Sequence, residues 1–141
     1  MIDGDISILG ALRDTLLSIT DVTAIVNTSI YWEDVEDITE LPYIVIAKMI
    51  GGYENTTQLQ ALDTYWKVCL ITADKTVALA GTQAINQLHL MALDKTNEPY
   101  LYPYGGVLKT SSIYQRDVEQ NIPVFIVGGI FRIRAIINEP C

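Results

Sequence analysis

Basic residues are scarce in this chain. Nine Lys and Arg stand against seventeen Asp and Glu, for a net charge of −8. Proteins that grip phosphates or read nucleic-acid sequence concentrate Lys and Arg on one face. That class is excluded, although an acidic wall past which DNA slides without sticking is not. There is one histidine, His89. A catalytic base or a metal ligand needs partners at defined spacing, and His89 has no second His and no Cys near it in sequence. It is expected to sit near a helix C-terminus as a favourable dipole contact. The two cysteines are Cys69, inside a strand-like run, and the last residue, Cys141. Both are expected as free thiols in a reducing compartment. No run of about 18 apolar residues occurs, so no membrane-spanning helix is expected. The first residues are acidic rather than basic, which is not the pattern of a secretory signal. GxSxG, HExxH, CxxC and nucleotide-binding glycine patterns are all missing. The expectation is therefore no enzyme, no cofactor and no metal.

What the chain does have is apolar surface. Half of its 141 residues are hydrophobic and only 18% are charged. A single domain spanning 1–141 is the natural reading at this length. A globule of this size hides about two-thirds of its unfolded surface. So much hydrophobic material implies a large core, or apolar surface covered by other subunits.

The longest strand-like run is Pro123 to Asn138. Alternation places Phe125, Val127, Phe131, Ile133, Ala135 and Ile137 on one wholly apolar face. Val124, Ile126, Ile130, Arg132, Arg134 and Ile136 take the other, which turns polar at the arginines. Gly128-Gly129 reads as a bulge or bend. Upstream, Ile6, Leu9, Leu12, Leu16 and Ile19 recur at helical spacing, predicting a helix over Asp5 to Ser18. Thr20-Asp21 breaks it, with one further turn over Val22 to Val26. Short strand Ser29 to Trp32 follows, then an acidic loop from Glu33 to Glu40, read as solvated rather than cation-binding because it lacks the EF-hand order. Leu41 to Ile50 is a strand ended by Gly51-Gly52, and Tyr53 to Gln60 is a connection. In Leu62 to Ala73, the residues Leu62, Thr64, Trp66, Val68, Leu70 and Thr72 share a face. A second helix is predicted over Lys75 to Leu93, opened by Asp74 or Lys75-Thr76. Its stripe is Val77, Ala80, Ala84, Leu88 and Met91, widened by Gly81, Ile85 and Ala92, with small residues Ala80, Gly81 and Ala84 permitting close approach to a sheet. Asp94 to Gly106 reads as a long loop carrying Tyr100, Tyr102 and Tyr104, a residue type favoured at interfaces, and is either an assembly contact or a lid over the protein's own core. Val107 to Glu119 is the penultimate strand. The fold class is α+β, a mainly antiparallel sheet of four to five strands with two helices packed on one face, in the order α-β-β-β-α-β-β.

Several stretches together resemble the tail-completion, or tail-terminator, proteins of long-tailed (siphovirus-type) bacteriophages. They are Asp21-Val22 with Ile25-Val26, then Ile30-Tyr31, an acidic gap, and Leu41-Pro42-Tyr43-Ile44-Val45-Ile46. Trp66-Lys67-Val68, the helix from Lys75 and Phe131-Arg132-Ile133 complete the set. The resemblance spans nearly the whole chain; the Tyr-rich segment Asp94 to Gly106 has no counterpart in it. It implies a virion protein of the tail or neck, assembled in the host cytoplasm. Copies would form a hexameric ring that caps the tail tube and ends its polymerisation. The ring would join the tail to the head connector, with DNA passing through. The implied partners are further copies of the chain, the tail-tube protein and the head connector, with no sequence-specific nucleic acid and no membrane. Candidate interface residues are Glu33, Asp34, Glu36, Asp37, Tyr100, Tyr102, Tyr104, Arg132 and Arg134. The alternatives are another neck, head-closure or minor tail protein, or, in a different class, a small ligand-binding or regulatory domain.

Overall fold

The computed structural model describes residues 4–32, 41–55, 60–93, 101–119 and 122–137. Three helices and five strands follow one another as α1 (Gly4–Ser18), α2 (Thr20–Val26), β1 (Ile30–Trp32), β2 (Tyr43–Asn55), β3 (Gln60–Thr72), α3 (Lys75–Asn86), β4 (Leu101–Glu119) and β5 (Ile122–Ile137). The expected α+β class holds. The extra turn after the first helix is a helix in its own right, set off where Ile19 adopts an extended backbone (φ −84°, ψ 112°).

The strands form one sheet in the order β1-β2-β3-β5-β4. Only β1 runs parallel to its neighbour β2. The β2–β3, β3–β5 and β5–β4 pairings are all antiparallel. One face of this sheet carries the core: Ile44, Ile46, Leu62, Trp66, Val68, Leu70, Val127, Phe131, Ile133 and Ala135 are buried there, with Ile8, Leu12, Leu16, Val22, Ala78, Ile85 and Leu88 of the helical layer in the same cluster. The alternation read for β3 and most of β5 therefore holds, residue for residue. Near its start β5 departs from the pattern, with Val124 buried and Phe125 half-buried. Inside the core, the Thr64 hydroxyl donates to the Ile133 carbonyl (3.0 Å) and accepts from the Trp66 indole N–H (2.7 Å). This satisfies two polar groups that would be costly to bury alone.

The second helix of the sequence reading, now α3, is capped as expected. The Asp74 carboxylate accepts from the amides of Thr76 (2.8 Å) and Val77 (3.4 Å), a contact worth about 1 kcal/mol. Two expectations about it need correcting. Gly81, Ala84 and Ile85 are buried as expected, but Ala78 is buried with them and Ala80 faces out. The helix also ends at Asn86 rather than near Leu93. The chain beyond it is needed elsewhere, as described below. The close approach is made by Gly81, where any Cβ would collide with the Leu70 side chain.

Three strand readings also change. β2 runs through Gly51-Gly52 to Asn55, because the β2–β3 ladder continues to the pair Asn55–Gln60. The Tyr-rich segment is a strand from Leu101 onward, not a loop to Gly106. Gly128-Gly129 is not a bulge in β5: the pairs Cys69–Gly128 and Val68–Gly129 are in unbroken register with β3. The register shifts lie in the partner strand β4, between Tyr104 and Leu108 and between Lys109 and Ser111. Gly128 (φ 154°) is required instead by proximity, since a Cβ there would overlap the Val68 carbonyl.

Candidate assembly surface

Strand alternation gives the sheet a second face, and among the described residues no helix packs on it. Cross-strand partners share a face. The registers place Tyr31, Tyr43, Val45 and Ala47, then Asp63, Tyr65, Lys67, Cys69 and Ile71, then Ile126, Ile130, Arg132 and Arg134 on this side. Most of these side chains are half-buried. The face combines an apolar half with a charged half.

The charged half is organised around Asp63. Arg132 donates to it twice, Nε to Oδ1 at 2.9 Å and Nη2 to Oδ2 at 2.6 Å. The fork matches the planar geometry of a carboxylate. The Arg132 guanidinium also lies over the Tyr65 ring, 5.9 Å from its centroid. Arg134 stands directly across the ladder from Asp63. The Arg132 hydrogen bonds hold the Asp63 carboxyl below its usual range, against the opposing pull of partial burial, with the Arg132 and Arg134 charges adding to the lowering. On the apolar half, Tyr31 and Tyr43 meet edge-on at 6.1 Å. Cys69 lies buried between them and the charged half, and burial pushes its thiol up to about 11. A thiol so placed is a poor nucleophile.

Both side edges of the sheet are partly closed. β1 is three residues long, and the Arg13 side chain reaches its Ile30 carbonyl at 3.4 Å. Along β4, the turn after α3 lies against the strand. Leu90 donates to the Val107 carbonyl (2.7 Å), Val107 donates to the Met91 carbonyl (2.8 Å), and the Lys109 amide donates to Nδ1 of His89 (3.0 Å). Leu90 takes a positive φ of 68° to allow this. This use of residues 87–91 is why α3 stops early. It also corrects the expectation for His89, which lies past the helix end and ties down the edge of β4 rather than meeting the helix dipole.

Of the residues proposed from sequence, Arg132 and Arg134 lie together on the open face. Tyr102 and Tyr104 lie in β4, opposite Ile136 and Arg134. Glu33, Asp34, Glu36, Asp37 and Tyr100 lie outside the described residues. Sequence reasoning missed Asp63 and Tyr65 as partners of Arg132, although the half-polar alternation of β3 was the available signal. It also missed exposed Tyr114 and Val118 on β4.

Among the described residues no cluster of His, Cys, Asp and Glu could hold a metal ion. A cavity of about 110 Å³ lies between Leu93, Pro103, Gly105, Gly106, Ile133 and Arg134, well below the several hundred Å³ of a typical metabolite site. Among the described residues no helix is long and apolar enough to cross a membrane.

No family model matches this chain, and neither does any curated protein. Among solved structures it is similar to a chain of the virion of a native gene transfer agent particle. The TM-score is 0.68 at 19% identity, over 91% of this chain and 96% of that one.

Proposed function

We propose that this chain is a virion structural protein that acts as a tail terminator. Copies close into a hexameric ring that caps the tail tube, stops its growth and meets the head connector, while DNA passes through the middle. The observation that carries the reading is the near end-to-end likeness in fold to a chain of a gene transfer agent virion. The stretches that resemble tail terminators, from Asp21-Val22 to Phe131-Arg132-Ile133, supply the finer assignment. Physical properties support it. A closed ring needs two different surfaces on each subunit that meet around a rotation axis. This chain offers an open sheet face and a helical layer. Its acidity suits a channel that must release DNA rather than retain it.

Light scattering on a sizing column, across concentration and salt, tests the ring. A particle of about six times 15.7 kDa is expected from a closed six-fold assembly. Tail-tube protein added to it should give tubes of limited length with a cap visible at one end. A chain that stays monomeric and leaves tube growth unchanged sinks the terminator reading. A ring that binds connector but not tube would instead indicate a head-closure role.

A further inference from the structure

The edge of β4 is closed on both sides of a short gap. On one side, Val107 and Lys109 are taken by the turn after α3. On the other, the Val118 amide is taken by the carboxylate of Asp117 at 2.7 Å. These bonds also fix which backbone groups face outward. Val107 and Lys109 face away from β5, the shift between Lys109 and Ser111 changes the parity, and Val118 faces away again. Ser112, Tyr114 and Arg116 therefore turn their N–H and C=O groups to the open edge. Among the described residues no hydrogen bond meets them. From Ser111 to Glu119 the strand pairs with β5 without a bulge, and it contains no Pro and no Lys. Bulges, Pro and Lys are devices by which sheets protect an edge; the charges this stretch does carry, Arg116 and Asp117, are of opposite sign. Both faces of this stretch are exposed too, Tyr114 and Arg116 on one and Gln115 and Asp117 on the other.

We propose that residues 111–117 are a strand-addition site for a second copy of this chain, pairing antiparallel about a two-fold axis at Tyr114. The register follows from the side chains. With Tyr114 at the centre, the two Tyr114 rings meet, Ser112 stands opposite Arg116 of the second copy, and Ser111 can donate to the second copy's Asp117. Tyr114 already leans on Phe125 (6.4 Å), and Arg116 lies over the same ring, so both are held in place before pairing. Centring on Arg116 would set two guanidinium groups against each other, which is unfavourable. Centring on Ser112 would drive the partner strand into the segment already covered by His89 and Leu90. The result is a continuous ten-stranded sheet with both helical layers on one side. This contact is separate from the ring-closing one and stands whether or not a ring forms.

Cross-linking tests it in a Cys141→Ser background. Hydrogen-bonded antiparallel partners have Cα atoms about 5.5 Å apart, inside the range a disulfide spans. Tyr114→Cys should therefore give a covalent dimer under mild oxidation. Val118→Cys should not, since the two copies of residue 118 would lie about 27 Å apart, eight residues along a strand. In parallel, Ser112→Pro removes one outward N–H, which an edge strand tolerates. Because the two-fold contact joins two rings where a ring forms, and two single chains where none does, the proline variant should have half the parent's mass at concentrations where the contact forms, down to the single ring or the single chain, while leaving the circular dichroism spectrum unchanged. Equal cross-linking at 114 and 118, or none at 114, overturns the proposal, as does an unchanged mass for the proline variant. Tube capping by the proline variant reads the terminator function independently, so failure of one idea is distinguishable from failure of the other.

Discussion

The two faces of the sheet are built from the same strands but obey different rules. On the helix side, Phe131, Ile133 and Leu62 are at most 1% exposed and belong to one buried cluster with residues of all three helices. On the other side, Ile130, Arg132 and Tyr65 alternate with them along the same strands and remain half-buried. Burial on the first face is complete within one chain. Burial on the second is incomplete within the chain. Burying apolar area contributes roughly 25 cal/mol per Å², so the first face stabilises the monomer and the second is free to stabilise an assembly. That division explains how a chain that is 50% hydrophobic can fold and still have apolar surface left for partners.

The comparison breaks most severely where the two faces meet in one backbone. Gly128 presses against the Val68 carbonyl with no room for a Cβ. Backbone cannot yield as a flexible side chain can, so Gly128→Ala must separate β3 from β5 at the centre of the sheet. The expected cost is about 3 kcal/mol or more, at the upper end for overpacking. Thermal melting should show a Tm lowered by many degrees or no folded protein at all. A variant that melts within two or three degrees of the parent (about 1 kcal/mol at this size) would mean that the strands are not in contact as described.

A gentler contrast uses neighbouring residues of β5. Phe131→Ala empties a site at 0% exposure and should cost about 3–5 kcal/mol. Ile130→Ala, one residue away on the open face, should cost the monomer about 1 kcal/mol, because the side chain is only half-buried and little cavity forms. The ranking reverses for assembly: Ile130→Ala should weaken self-association while leaving the monomer folded. Urea titration measures the first effect, and sedimentation over a concentration series the second. Similar urea midpoints for the two variants would remove the distinction between the faces.

Much of this was legible in the sequence. Alternation alone sorted Leu62 through Thr72 onto the correct faces, because a strand packed on one side leaves a strict period of two. The helical cap at Asp74 was legible for the same local reason. What was not legible depended on contacts distant in sequence. The early end of α3 is dictated by hydrogen bonds from residues 89–91 to β4, nearly twenty residues on. The strand character of Leu101 to Tyr104 comes from pairing with β5, which overrides the strand-breaking tendency of Pro103. For the candidate surface, the arginines were visible as a pair, but their partner Asp63 was not. It lies 69 residues away from Arg132 in the chain, and only strand register brings it opposite.

The smallest expected effect isolates the charged part of the open face. Hydrogen bonds from Arg132 lower the Asp63 pKa below its ordinary value of 3.8. Its stabilising contribution is therefore fully present above the unfolded value and is lost as pH falls through the lower folded value. Side-chain exposures of 34% for Arg132 and 28% for Asp63 leave the pair partly screened, which limits its worth to about 0.2–1 kcal/mol. Asp63→Asn should lower stability by that amount at neutral pH. Parent and variant should converge as the pH drops below 3.8 toward the folded value, since both then carry an uncharged group facing Arg132. Chemical denaturation at a series of pH values reads this directly. A difference that persists unchanged in acid would assign the effect to packing rather than to charge. A difference that vanishes in acid would show that the Asp63–Arg132 ion pair, rather than packing, holds the charged half of the open face in place.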